Sequence, residues 1–304
     1  MLVRFGLFGH PHSAMIPALI PVHVRSAALL GCAVLAGFAV LMTPSLRAQE
    51  LAPAPASAVP SPEATQVRLI AGSGLEQGIY RAAADVTLPP AAITYWRQPG
   101  EAGVPPRFSF AGSQNVAAVD VLYPAPARFD EDGLEAYGYR GGVVFPLHVT
   151  PKEAGKPALL HLSLDYAVCE KICIPARADA EIALPGGASG PAQTLIAAAE
   201  ARVPVPLKPQ EISDKLTIAA KADTAKPTWI VTAKDGADLG DVFAEAPEGW
   251  YFETHRLSKS EFALVAADRP ASAPGPVAVR LTVAAERPYE LTATLDPAVA
   301  AAEH

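Results

Sequence analysis

Short hydrophobic stretches, separated by glycine, proline, aspartate and asparagine, run along the chain from Thr65 onwards. The stretch Leu160–Tyr166 alternates apolar and polar positions, which is typical of a β-strand with one buried face. Many short strands with turns between them favour an antiparallel β-sandwich. The predicted strands are Gln66–Ile70, Ile79–Thr87, Arg107–Phe110, Val116–Tyr123, Val143–Val149 and Leu159–Tyr166, then Leu216–Ala220, Thr228–Ala233, Gly249–Thr254, Glu261–Ala266, Val277–Ala284 and Tyr289–Leu295.

One segment has the pattern of a helix instead. Residues Gln193–Arg202 predict a short helix, and the proline-containing stretch Val203–Pro206 would end it. We therefore expect an all-β chain of two tandem sandwiches with one short connecting helix. The expected division is a first sandwich over 65–187, a linker and helix over 188–206, and a second sandwich over 207–304. The tryptophans expected to anchor the cores are Trp96, Trp229 and Trp250.

The first 48 residues contain no acidic side chain. Two arginines precede the apolar run Ser26–Met42, and the segment Thr43–Ala48 that follows it ends in a small residue. This order is typical of a secretory signal peptide, so we predict export, with residues 49–64, rich in alanine and proline, as a leader. An uncleaved membrane anchor and a lipid attached at Cys32 are the two alternatives.

Net charge and cysteine count exclude several classes of function. The net charge of −7 argues against a nucleic-acid-binding protein, which would show a basic face. Cleavage after residue 48 would leave two of the three cysteines, Cys169 and Cys173. Even three cysteines are too few for a disulfide-stapled scaffold or a four-cysteine zinc site. An exported chain with one close cysteine pair lies in a compartment where disulfides can form and persist.

The two cysteines are four positions apart, just after the alternating stretch. In an extended strand their Cα atoms would be about 13 Å apart, whereas a disulfide needs about 4.4–6.8 Å. The chain must therefore turn between them, through a tight loop or through one helical turn that brings them within about 6 Å. Either turn places both sulfurs on one side, as a redox pair or a metal site requires.

Three roles are open to such a pair. A structural disulfide around three residues removes little entropy from the unfolded state, on the order of 2 kcal/mol, so it would be a weak staple. A redox-active pair fits a small ring better. A metal site is the third role. Lys171 would favour a thiolate, while Glu170 and Asp165 would oppose one, so local charge does not decide between these roles.

The cysteine segment resembles the active-site strand of the DsbD amino-terminal domain, the periplasmic end of a thiol:disulfide interchange system. The resemblance covers about residues 65–187, and the tandem layout is similar to the amino-terminal part of the related ScsB proteins, which are linked to copper stress. The matching stretches are Phe129–Leu134, Tyr139–Arg140, Val143–Leu147, Gly155–Pro157, Leu159–Leu162, Tyr166–Cys169 and Cys173–Pro175.

The resemblance implies immunoglobulin-like sandwiches and a redox pair beside a protective cap loop. It implies that Cys173 forms the mixed disulfide with a partner and that Cys169 resolves it. The residues that it places near the pair are Phe129, Asp130, Glu131, Leu134 and Tyr137 of the cap loop, with Tyr166 and Pro175. The cysteine spacing is shorter than in the best-known members, and the usual cap aromatic is replaced near Asp132, which leaves Phe129, Leu134 or Tyr137 to shield the pair.

The resemblance also implies partners. Electrons would arrive from a membrane-embedded or thioredoxin-like thiol donor. They would pass to periplasmic disulfide proteins, such as isomerases and cytochrome-maturation factors. We expect no cofactor and no nucleic acid.

The main alternative function is a Cu(I)-binding or copper-tolerance module that uses the same cysteines, because soft thiolates suit Cu(I). Cys-x-x-x-Cys before a proline also resembles the copper site of Sco-type chaperones, but the strand-rich pattern fits their thioredoxin-like frame poorly. His148 or His161 could supply a third ligand, although each is expected to be an ordinary surface or packed histidine, and His255 is a weaker candidate. A pure interaction protein with a structural bridge is the third function.

Overall fold

The computed structural model describes residues 65–185, 190–222, 224–270 and 275–298. The predicted signal peptide and leader, which together span residues 1–64, lie outside these ranges. Within the described ranges, no helix combines the length and the apolar composition that a membrane crossing needs.

Ten strands form the first sandwich. They build a four-stranded sheet in the order β1-β2-β8-β5 and a six-stranded sheet in the order β10-β9-β3-β7-β6, with β4 also paired to β9. The strands are β1 (Gln66–Glu76), β2 (Ile79–Thr87), β3 (Ile93–Gly100), β4 (Arg107–Ser109), β5 (Val116–Val121), β6 (Ala127–Glu131), β7 (Leu134–Arg140), β8 (Gly142–Pro151), β9 (Ala158–Cys169) and β10 (Cys173–Leu184).

The two sheets of the first sandwich bury one apolar core between them. Leu160, Leu162 and Leu164 of β9 are fully buried, as the alternation in the sequence predicted. They belong to the same core as Phe145 and Leu147 of β8 in the facing sheet. The core therefore fixes which face of β9 points inwards along its whole length.

Eight strands form the second sandwich. Its sheets have the orders β11-β18-β17-β14 and β12-β13-β16-β15. The strands are β11 (Val205–Pro206), β12 (Leu216–Lys221), β13 (Thr228–Ala233), β14 (Val242–Glu245), β15 (Tyr251–Ser258), β16 (Glu261–Asp268), β17 (Val277–Val283) and β18 (Tyr289–Leu295). Trp229, Phe262 and Leu281 lie in their common core. The predicted fold class, tandem immunoglobulin-like β-sandwiches, is confirmed.

The helical part is longer than expected. Helix α1 (Gly190–Glu200) overlaps the predicted helix but begins three residues earlier and ends two residues earlier, and it packs on the first sandwich with Ile196 buried. At its end the Glu200 carboxylate accepts a hydrogen bond of 2.9 Å from Arg81 Nε. A second helix, α2 (Pro209–Lys215), was not expected. It has seven residues, too few for a hydrophobic repeat to show in the sequence.

An aromatic side chain from the second sandwich completes the core of the first. Phe243 on β14 is fully buried and belongs to the first sandwich's core. Its ring centroid lies 5.8 Å from that of Trp96 and 4.9 Å from that of Tyr137. Because apolar surface from both halves is removed from water here, the contact stabilises both sandwiches.

Two arginines of the first sandwich add ion pairs across the same contact. Arg97 Nη2 lies 2.7 Å from Glu245 Oε1 and 3.0 Å from Glu290 Oε2. Burial alone would lower the pKa of Arg97, but hydrogen bonds and the negative charge of both glutamates raise it. Arg128 Nη2 lies 3.0 Å from Asp241 Oδ1 and donates a 2.7 Å hydrogen bond to Thr254 Oγ1. Strands β3 and β6 are thus tied to the second sandwich.

Candidate redox site

Strands β9 and β10 form an antiparallel hairpin that brings the two cysteines together. Their backbones pair in unbroken register from Leu184 opposite Ala158 to Cys173 opposite Cys169. The chain turns within the three residues between the cysteines, and a disulfide joins the sulfurs with the Cα atoms 4.1 Å apart. Of the two geometries left open by the spacing, the tight turn is correct and the helical turn is wrong.

The two cysteine residues of the disulfide differ in exposure. Cys169, at the end of β9, is 2% exposed, whereas Cys173 is an exposed residue at the start of β10. The neighbouring Ile172 is 59% exposed in the turn. A reagent or partner thiol approaching from solvent therefore meets Cys173 first.

Cys169 is enclosed by a small apolar cluster on the outer face of the six-stranded sheet. The cluster contains the buried residues Ile93, Tyr95, Ala136 and Ala167, and Phe129 packs against it. These side chains come from β3, β6, β7 and β9, so four strands of the sheet shape the surroundings of one sulfur.

The hydroxyl of Tyr95 is the polar group at the centre of this cluster. Its oxygen lies 2.8 Å from Cys169 Sγ and 3.2 Å from Cys173 Sγ. It also donates a 2.8 Å hydrogen bond to Glu131 Oε2. The pKa of Tyr95 is raised far above its usual range, mainly by burial and further by this hydrogen bond and the negative charge of Glu131. The side chain therefore stays a neutral hydrogen-bonding phenol at physiological pH.

Tyr95 was not among the predicted site residues. The strand that carries it, β3, was not predicted, because residues Ile93 to Trp96 are all buried and show no alternation. A run of four β-branched or aromatic residues is consistent with a strand covered on both faces, and this was the available signal.

The expected cap loop is the β6–β7 hairpin, and its residues fall into two groups. In the first group, Glu131 accepts the hydrogen bond from Tyr95, and Phe129 packs against the cluster around Cys169. Asp130 accepts a 3.2 Å hydrogen bond from the backbone N–H of Gly133 in the hairpin turn, and Leu134 is 47% exposed. The hairpin therefore brings a carboxylate and an aromatic ring towards the disulfide.

Tyr137 and Tyr166 lie on the other side of the same sheet. Tyr137 belongs to the sandwich core and contacts Phe243, not the cysteine cluster. Tyr166 is also in that core, and its hydroxyl donates a 3.3 Å hydrogen bond to Thr65 Oγ1. Pro175 pairs with Ala167 at an exposed position of β10.

The histidines considered as metal ligands make other contacts. His148 Nε2 lies 3.2 Å from Glu200, and His161 Nδ1 lies 3.8 Å from Glu181. In the described part of the chain, the one group of three possible ligand atoms is Glu131 with the two cysteine sulfurs, all within 4.8 Å of one another. Two thiolates and one carboxylate are a mixed soft and hard donor set.

This arrangement can open and close a disulfide. An incoming thiolate can attack Sγ of the exposed residue Cys173 and form a mixed disulfide with it, while the bond to Cys169 breaks and Cys169 leaves as a thiolate. The buried leaving sulfur then faces the Tyr95 hydroxyl, which can stabilise a negative charge by donating a hydrogen bond.

Comparison with known proteins gives the following. The family model described as thiol:disulfide interchange protein DsbD, N-terminal, matches residues 56–185. The N-terminal periplasmic domain of ScsB from Proteus mirabilis superimposes with a TM-score of 0.56 at 20% identity, covering 76% of this chain and 91% of that one, which shows a shared fold. A protein of unknown function from Porphyromonas gingivalis W83 aligns at 12% identity over 76% of this chain and 100% of that one, but its TM-score of 0.22 supports no argument. The search of curated proteins gave no match.

Proposed function

We propose that this chain, whose residues 56–185 belong to the DsbD amino-terminal domain family, is a periplasmic component of thiol–disulfide exchange. It takes electrons from a membrane-embedded or thioredoxin-like thiol donor and passes them to periplasmic disulfide proteins. Support for the location comes from the likeness to a periplasmic ScsB domain and from the signal-like sequence at residues 1–48.

The observation that carries this proposal is the unequal exposure of the two cysteine residues. Thiol–disulfide exchange needs one sulfur that a partner can reach and a second that can close the ring afterwards. Cys173 is an exposed residue and Cys169 is a buried one, with their Cα atoms 4.1 Å apart. We therefore assign Cys173 as the residue that forms the mixed disulfide and Cys169 as the resolving residue.

Electron delivery then proceeds in two steps. In the reduced protein, the Cys173 thiolate attacks a disulfide of the acceptor, forms a mixed disulfide and releases one acceptor thiolate. Cys169 next attacks Cys173 Sγ, the internal disulfide forms, and the second acceptor sulfur leaves with the electron pair. The acceptor is reduced by two electrons, and this chain is oxidised by two.

Trapping tests the assignment of the two cysteines. A Cys169→Ala variant cannot resolve, so it should accumulate mixed disulfides through Cys173 with specific periplasmic proteins, visible on non-reducing gels and identifiable by mass spectrometry. The matched Cys173→Ala variant, whose remaining sulfur is buried, should accumulate far fewer. If neither variant traps a partner, the exchange function is wrong.

A redox titration separates exchange from a structural bridge. Equilibrating the full chain with glutathione buffers should give a defined and relatively oxidising potential, because exchange needs a bond that opens readily. Resistance to mild reduction would favour the interaction protein with a structural bridge.

The Cu(I) module remains the second candidate, and the donor set supports it less. The ligand group adds a carboxylate to the two sulfurs, and oxygen ligands suit harder cations than Cu(I). A copper carrier should bind Cu(I) stoichiometrically when reduced and lose it in Cys173→Ser, whereas an exchange protein has no such requirement.

A further inference from the structure

We propose that Tyr95 and Glu131 form a proton relay that deprotonates Cys169 when it resolves the mixed disulfide. This role rests on the exchange function proposed above. It assigns a catalytic task to Tyr95, a residue on β3, and to Glu131, whose carboxylate was expected only to belong to a cap.

The need for a relay follows from the burial of Cys169. Only a thiolate attacks a disulfide, and a thiol in apolar surroundings gives up its proton less readily than one in water. At 2% exposure, Cys169 has almost no contact with solvent that could accept the proton. The proton must therefore leave through a neighbouring side chain.

The geometry provides one continuous path. The Tyr95 oxygen is 2.8 Å from Cys169 Sγ on one side and 2.8 Å from Glu131 Oε2 on the other. A thiol at Cys169 can donate to this oxygen while the phenol proton is donated to the carboxylate. Glu131 is partly exposed on the β6–β7 hairpin, so it can exchange its proton with water.

The high pKa of Tyr95 fits a relay rather than a base that holds a negative charge. Burial and Glu131 both disfavour the phenolate. The tyrosine therefore receives one proton and passes on another without becoming charged. The carboxylate is the group that takes up the proton.

The step balances as follows. The Cys169 thiol gives its proton to the Tyr95 oxygen, and Tyr95 gives its own proton to Glu131, which becomes a carboxylic acid. The Cys169 thiolate attacks Cys173 Sγ, the internal S–S bond forms, and the bond from Cys173 to the acceptor breaks. The acceptor sulfur leaves as a thiolate with the electron pair. When a donor reduces the disulfide, the same path runs backwards and Glu131 returns a proton taken from water.

Other charged groups on the surrounding elements could influence a pH profile. They include Arg97 on β3, Arg128 on β6, Asp130 and Asp132 on the β6–β7 hairpin, Glu135 and Arg140 on β7, Asp165 on β9, and Glu170 and Lys171 in the turn between the cysteines. A substitution that removes the Tyr95 hydroxyl leaves all of them in place. The difference between variant and original protein therefore isolates the relay.

The test uses the reduced full chain and 5,5′-dithiobis(2-nitrobenzoate) as the disulfide probe in stopped flow. Attack by Cys173 releases a first thionitrobenzoate, and resolution by Cys169 releases a second, so absorbance gives both rates. A Cys169→Ala variant should show the first release alone, which assigns the phases. These rates need no biological partner, so the relay can fail while partner trapping succeeds, and the reverse.

In Tyr95→Phe, we expect the second phase at neutral pH to slow by at least about 100-fold, the lower range of general acid–base catalysis. That phase should also become steeply pH-dependent, because the thiol must then lose its proton directly to hydroxide or buffer. The first phase should change by less than about twofold. Glu131→Gln, which keeps the side-chain shape, should slow the second phase as well.

Tyr80→Phe is the matched control. Tyr80, on β2 of the other sheet, is also a buried tyrosine, and its hydroxyl donates a 3.3 Å hydrogen bond to the backbone oxygen of Lys156 in the loop between β8 and β9. Its loss should leave both phases unchanged. The relay is refuted if Tyr95→Phe leaves the second phase within twofold of the original protein, or slows both phases equally at every pH, as a purely structural role would.

Discussion

Replacing Phe243 by alanine tests how strongly the two sandwiches depend on each other. The ring is fully buried and makes aromatic contacts with Trp96 and Tyr137 of the first sandwich. Truncating a buried phenylalanine costs about 3–5 kcal/mol, and each aromatic pair contributes about 0.5–1.5 kcal/mol beyond its buried area. Because two pairs are lost, we expect a loss near the top of this range, about 4–5 kcal/mol. Domains are usually stable by about 5–15 kcal/mol, so the effect should be large.

The assay is unfolding in guanidinium chloride, followed by tryptophan fluorescence and by far-ultraviolet circular dichroism. The midpoint should fall while the slope with denaturant stays constant, because the two sandwiches unfold together. Leu257→Ala is the control, since this side chain is 54% exposed and its loss should change stability by less than about 0.5 kcal/mol. A loss below about 1 kcal/mol for Phe243→Ala, or two separate transitions of which one does not move, would refute a shared core.

Three further results are expected. Arg97→Met leaves two partly buried carboxylates without their cation, so thermal or chemical unfolding should show a loss of about 2–3 kcal/mol, less than for a fully buried pair; no measurable loss would contradict the role of the ion pairs. Gly138→Ala would place a Cβ 2.0 Å from the backbone oxygen of Thr94 and push β3 away from β7. We therefore expect about 3 kcal/mol of destabilisation, together with slower thiol exchange. An unchanged free energy of unfolding would show that the two strands can separate without cost. Burial raises the pKa of Tyr289 from 10.0 to about 12, so the folded state holds the phenol proton more tightly than the unfolded state does. The resulting contribution to stability is complete below pH 10 and is lost as the pH rises towards 12. Tyr289→Phe should flatten that decline of stability in denaturant titrations.

The sequence predicted best where a strand has one buried and one exposed face. Strand β9 was expected over Leu159–Tyr166 and extends over Ala158–Cys169. Period-two alternation survives there because one face lies on the core. The turn between the cysteines was predicted from the Cα–Cα distance that a disulfide can span, and that limit does not depend on how side chains pack.

Elements whose faces are both covered were missed. Strand β3 is buried on both sides at its start, and β14 has four residues, three of them buried. In these two strands tertiary contacts, rather than the local pattern, determine the structure. Strand β10 was missed although it alternates, because core-facing positions such as Ala176 and Ala178 carry small side chains that give a weak hydrophobic signal.

The surroundings of Cys169 could not be predicted, because they too depend on tertiary contacts. Tyr95 is 74 positions from Cys169 and 36 from Glu131, and the three meet because β3 lies between β9 and β7 in the sheet. Nothing in the spacing of these residues indicates that contact. The family resemblance identified Glu131 through its hairpin, but it did not identify the tyrosine that connects the carboxylate to the sulfur.

Strand β6 has a consequence for how this protein should be studied. Glu131 at its end contacts Tyr95, while Arg128 earlier on the strand is held by Asp241 of the second sandwich. A shortened chain ending at Pro206 would lose that anchor and would leave the ring of Trp96 without Phe243. Its cysteines would then react beside a less firmly held strand β6 and a tryptophan ring newly exposed to solvent. Thiol reaction rates measured on such a fragment would therefore not represent those of the whole protein.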